Sequence, residues 1–71
     1  MSAIYYFNTI TDSKGNHEVH TQECIFLPSE GTRKRIGMES NCQNAIASAR
    51  RENPGKTFDG CFYCSKECHT G

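Results

Sequence analysis

Soft metal ligands crowd one short stretch of this chain, Asp59-Gly60-Cys61-Phe62-Tyr63-Cys64-Ser65-Lys66-Glu67-Cys68-His69. Thiolate and imidazole are the donors zinc prefers in a tetrahedron, and a Cys-x-x-Cys pair can place both sulfurs on one ion from a single turn of backbone. Cys61 and Cys64 have that spacing, and Cys68 and His69 follow. A structural zinc site usually takes its remaining ligands from elsewhere in the chain. The candidates are Cys24, Cys42 and the histidines His17 and His20. The set expected to hold zinc is therefore Cys61 and Cys64 with Cys68 or His69, completed by Cys24 or His20.

Two other uses of the cysteines compete with this one. Cys61, Cys64 and Cys68 are also spaced as the buried stripe of a short helix that Asp59 could cap, and reduced cysteines bury readily as small hydrophobes. Alternatively, two disulfides form among the five cysteines and one is left over. The odd count favours a ligand or a free thiol, as does a chain that begins at Met1 with no apolar leader. That beginning reads as cytoplasmic, where thiols normally stay reduced.

Several chemistries fail on spacing. His17-Glu18-Val19-His20 separates its histidines by three, not the four a zinc-protease helix requires, and on a strand those two point to opposite faces. By the same period of two, His20 shares a side with Cys24, which makes it the better ligand; an exposed polar histidine is the plain alternative for both. A zinc deaminase would need a glutamate two residues beyond its histidine and a proline where Gly60 stands. A thiol redox protein working through Cys61 and Cys64 needs that pair at a helix start after the first strand of a βαβ unit, but here it lies near the C-terminus.

The elements that must position these residues are few. The chain is 71 residues long with 35% hydrophobic residues and no tryptophan, so it forms one domain (1–71) with a small core in need of a staple. Ile4–Ile10 is aromatic and β-branched and predicts a strand. The polar run Thr11–Asn16 predicts a reversal, and a second strand runs from His17 through Val19 and Thr21 toward Cys24–Leu27. A third, Arg33–Met38, is expected to put Lys34, Ile36 and Met38 on one face and Arg33 and Arg35 on the other. Ser40-Asn41-Cys42-Gln43 reads as a capping box opening a helix whose apolar stripe is Cys42, Ala45, Ile46 and Ala49; Asn53-Pro54-Gly55 ends it. The expected fold class is α+β, in the order β-β-β-α: a three-stranded antiparallel meander (3–38) packed by one helix (40–53), with a cysteine-rich tail (56–71) that has no regular element long enough to stand without support.

Charge excludes a strong global field, since eight basic residues balance eight acidic ones. Locally, Arg33, Lys34, Arg35, Arg50, Arg51 and Lys56 outnumber Glu39 and Glu52. Nucleic-acid contact through that sector is the second functional reading, aided by whichever of Tyr5, Phe7 or Tyr6 the helix leaves open; a solvated face and core aromatics are the plain alternatives. No apolar run is long enough to span a membrane.

The whole pattern resembles small uncharacterised bacterial proteins: His17-Glu18-Val19-His20, Cys24 ahead of Leu27-Pro28, a capped helix with Cys42 and Ala45-Ile46-Ala47, and Asp59-Gly60-Cys61-Phe62-Tyr63-Cys64 with Cys68-His69. The resemblance implies a compact cytoplasmic protein and brings no activity, substrate or partner. The function expected from the residues is a small non-enzymatic interaction module stabilised by structural zinc.

Overall fold

A computed structural model describes residues 2–70. The aromatic first segment forms β1 (Ala3–Asn8), and β2 (His17–Thr21) returns antiparallel to it with Tyr5 opposite Thr21 and Phe7 opposite Val19. The reversal is held by Asp12, whose Oδ1 accepts the amides of Lys14 and Asn16, each at 2.9 Å. Gly15 takes the positive φ of 84° that the turn needs.

From here the chain departs from a meander. β2 stops at Thr21, and Gln22–Thr32 is a loop ending in a single 3-10 turn, Glu30–Thr32. Extending the strand to Leu27 would have followed an apolar run that instead leaves Ile25 86% and Phe26 49% exposed. The loop carries the chain past β1, so β3 (Arg33–Glu39) pairs with β1 on its other side. Helix α1 (Cys42–Glu52) then leads to β4 (Phe58–Gly60), which lies parallel to β2 with His17 opposite Phe58 and Val19 opposite Gly60. A parallel neighbour requires a crossover of this kind, and the helix supplies it. The class is α+β as expected, but the sheet has four strands, in the order β3-β1-β2-β4, and is mixed.

Two local expectations also change. Asn41, not Ser40, caps the helix, its Oδ1 accepting the Asn44 amide at 2.8 Å, while Ser40 Oγ accepts from the Asn44 side chain at 3.1 Å. The asparagine side chain reaches the third amide from one residue closer, so the helix starts at Cys42. In β3 the register shifts between Tyr5 and Tyr6, at Gly37 with φ 136°. Lys34 pairs with Phe7 on the core face and Met38 with Ile4 on the opposite one, so the single face expected for Lys34, Ile36 and Met38 is broken by this bulge.

The core lies between α1 and one face of the sheet: Tyr5, Phe7, Val19 and Phe58 from the strands, and Cys42, Ala45, Ile46 and Ala49 from the helix. The small helical residues let the helix sit close to the aromatic rings. His17 joins this core, its ring 5.5 Å from that of Phe7 and 5.7 Å from that of Phe58, with Nδ1 2.8 Å from the Asn8 carbonyl. Neither His17 nor His20 is the exposed polar residue of the plain reading, because both are buried.

Candidate metal centre

His20 is on the strand face opposite Val19, so it points away from the helix. It is 1% exposed because two loops cover it there. The first is the turn after β2, in which the Cys24 amide donates to the Thr21 carbonyl at 3.1 Å and the Leu27 amide to the Cys24 carbonyl at 3.1 Å. The second is the segment leaving β4. Its position is fixed by the Cys61 amide, which extends the parallel ladder by donating to the Val19 carbonyl at 3.0 Å, and by the Ser65 amide closing back on the Cys61 carbonyl at 2.9 Å.

Together these elements bring His20, Cys24, Cys61 and Cys64 to one point. One ligand atom from each lies within 4.8 Å of all the others, close enough to hold a single metal ion. The Cys24 and Cys61 sulfurs are 3.9 Å apart, and Cys64 Sγ is 4.0 Å from His20 Nδ1. Backbone amides are aimed at two of the sulfurs: Thr21 at Cys64 (3.3 Å) and Phe26 at Cys24 (3.4 Å). Such donors stabilise thiolates without adding a counter-ion.

The three thiols respond unequally. Burial pushes Cys24 up to about 12, against the Phe26 amide and with its thiol neighbours Cys64 and Cys61 adding to the rise. Burial also raises Cys61 despite the amides of Cys64 and Tyr63. For Cys64 burial again opposes ionisation, but the His20 ring, the Thr21 amide, Cys24 and Ser65 outweigh it and bring the thiol down to about 6. Of the three thiols, Cys64 is the one that loses its proton most readily.

The remaining expected ligands lie elsewhere. Cys68 is bonded to Cys42, with the two Cα atoms 6.3 Å apart. The 3-10 turn Lys66–Cys68 reverses the chain after Cys64 and sends the Cys68 side chain toward the helix, away from the ligand cluster. His69 Nδ1 is 3.0 Å from the Gly60 carbonyl and 3.8 Å from Asp59 Oδ2, a tie that closes the tail onto β4. Asp59 does not cap a tail helix. It is buried in β4, and its Oδ1 accepts from the Thr70 amide at 2.8 Å and the Thr70 hydroxyl at 3.1 Å. The cysteine readings therefore combine: one disulfide, and three thiols gathered with a histidine.

Gly60 makes the two arrangements compatible. A Cβ there would lie 2.5 Å from the Ser65 carbonyl oxygen and 2.6 Å from Cys68 Cβ, so the tail can fold across β4 only over a glycine. The pair Cys61 and Cys64 sits on a turn, not at the helix start that a thiol redox site would use.

In the basic sector, Lys34, Arg35, Arg50, Arg51 and Lys56 are exposed. Arg33 is half-buried, 4.8 Å over the Tyr6 ring and donating from Nη1 to the Pro28 carbonyl at 3.1 Å. Tyr5 and Phe7 are core residues. One contact to the cluster escaped sequence reasoning: Glu18 Oε1 lies 3.2 Å from His20 Nε2. The spacing of two along a strand was the available signal.

Comparison with protein-family models, curated proteins and solved structures found no match. Among the described residues no helix is long and apolar enough to cross a membrane.

Proposed function

We propose that this chain is a small non-enzymatic interaction module in which one structural zinc ion, held by His20, Cys24, Cys61 and Cys64, fixes the loop after β2 to the turn after β4. The observation that carries the reading is the convergence of three thiols and one imidazole within 4.8 Å. Zinc bonds of about 2.3 Å to sulfur and 2.0 Å to nitrogen, at tetrahedral angles, imply sulfur–sulfur edges of about 3.8 Å and sulfur–nitrogen edges of about 3.5 Å. The separations of 3.9 Å and 4.0 Å are within a small inward movement of those values. Four protein ligands fill a tetrahedron and leave no position for substrate, as in structural sites. Chelation of the loaded protein should lower its thermal midpoint, while an unchanged midpoint would remove zinc from the account.

The interaction role draws support from the surface above the site. Phe26 and Tyr63, on the two ligand loops, stack with ring centroids 4.6 Å apart, and Phe62 meets Tyr63 edge-on at 5.2 Å. All three rings are largely exposed, along with Ile25. Contiguous exposed apolar side chains of this kind mark docking surfaces.

Nucleic-acid contact is the second reading. In its favour, Lys34 and Arg35 are exposed on the outer strand and Tyr6 faces away from the helix beside Arg33. Affinity for single-stranded DNA that falls with salt would support it, and a flat dependence would dismiss it. Cytoplasmic placement and kinship with small bacterial proteins belong to the same proposal. The three reduced thiols argue for a reducing compartment and the Cys42–Cys68 bond against it; thiol content in protein alkylated before lysis distinguishes them.

A further inference from the structure

We infer that Glu18 is a positioning residue for the metal centre: it holds the proton of His20 on Nε2 and so presents Nδ1 as the ligand atom. The inference rests on the metal reading above and concerns which nitrogen is used and what fixes it.

The two residues are separated by two along β2 and share the face opposite the core. Glu18 Oε1 lies 3.2 Å from His20 Nε2, and on the far side of the same ring Nδ1 lies 4.0 Å from Cys64 Sγ. In the zinc-loaded protein a neutral imidazole carries one proton, so a carboxylate beside Nε2 keeps that proton on Nε2 and leaves the Nδ1 lone pair for the metal. The His20 side chain is 1% exposed and cannot turn without displacing the loops that cover it, whereas the Glu18 side chain is 36% exposed. Glu18 is therefore not needed to fill the core, and its contact with the ring is open to substitution without emptying a packed site. Partners of this kind fix ring orientation and raise ligand basicity, and their loss typically costs about 10- to 100-fold in metal affinity.

The test compares wild type, Glu18→Ala and Glu18→Gln. Zinc stoichiometry of the wild type is measured first, followed by the rate of zinc transfer to a chromophoric chelator and the 15N shifts of the His20 ring. In the loaded wild type Nδ1 should carry the metal shift and Nε2 the proton. Glu18→Ala should release zinc about 10- to 100-fold faster. Glu18→Gln, which keeps an acceptor oxygen, should recover part of the loss. Zinc bound through Nε2, or a release rate unchanged in Glu18→Ala, would overturn the role of Glu18 and leave the metal centre standing. A wild type that takes up no zinc would overturn the metal centre and this inference with it.

Discussion

The sulfurs of Cys24 and Cys61 lie 3.9 Å apart although 37 positions separate them in the chain. Nothing local brings them together. Cys24 is placed by a turn after β2, and Cys61 by a ladder bond from its amide to Val19 in the same strand, so the sheet itself is the frame of the cluster. The division of labour among the cysteines follows from that geometry and has consequences for each of them.

Serine at Cys24, Cys61 or Cys64 should abolish stoichiometric zinc binding, and alanine at His20 should weaken it strongly. Serine at Cys42 or Cys68 should leave one zinc per chain, as should His69→Ala. Metal content after gel filtration separates the two groups. Zinc loss in the Cys68→Ser protein to the same degree as in Cys64→Ser would contradict the assignment.

Zinc affinity should climb steeply with pH near neutrality, because the ligands must lose their protons. Cys64, at about 6, is already ionised at pH 7, whereas Cys24, at about 12, and Cys61, raised above 9.0, are not. Binding between pH 7 and 9 thus releases two thiol protons from the coupled cluster, and affinity should rise about 100-fold per pH unit. Zinc titrations at several pH values against a competing chelator measure the slope. A slope near zero would mean that the thiols are not the ligands.

The Cys42–Cys68 bond closes a loop with a sequence separation of 26, which by chain-entropy reasoning stabilises the fold by about 3.5 kcal/mol. It holds the tail to the helix, while the Cys61 amide on Val19 and the Thr21 amide on Cys64 hold the tail to β2. Cys42→Ala/Cys68→Ala should lower stability by roughly 2–4 kcal/mol in denaturant titration yet keep zinc. An unchanged midpoint would show that the bond contributes nothing.

Gly60→Ala should be more damaging than its size suggests, since the new methyl would meet backbone at Ser65 and Cys68 that has no room to retreat. Both tail attachments should loosen together, with weaker zinc retention and faster reduction of the disulfide. Wild-type behaviour in both assays would place the tail elsewhere.

Much of this centre was legible in the residues. The Cys-x-x-Cys spacing pointed to Cys61 and Cys64, and the period of two set His20 apart from His17; Cys24 meets His20 through the turn after Thr21, not through the strand period used to pair them. The inward stripe of α1 was legible for the same reason: Cys42, Ala45, Ile46 and Ala49 repeat at helical spacing and are buried. The partner of Cys42 was not legible, because it depends on β4, three residues whose pairing with β2 is created by a distant crossover. Cys68 and His69 stand next to Cys61 and Cys64 in sequence, but one 3-10 turn redirects them away from the cluster, and a run of cysteines carries no sign of where such a turn falls. The apolar Cys24–Leu27 looked like strand because its residues favour strands, whereas it is a loop that brings Cys24 to the cluster and leaves Ile25 and Phe26 exposed.

Native mass spectrometry of the purified, non-reduced protein tests most directly whether a single zinc ion sits on His20, Cys24, Cys61 and Cys64. The prediction is one zinc per chain together with one disulfide, the zinc departing when the protein is acidified. A metal-free mass in which Cys24, Cys61 and Cys64 are all freely alkylated, and which added zinc does not change, would contradict it.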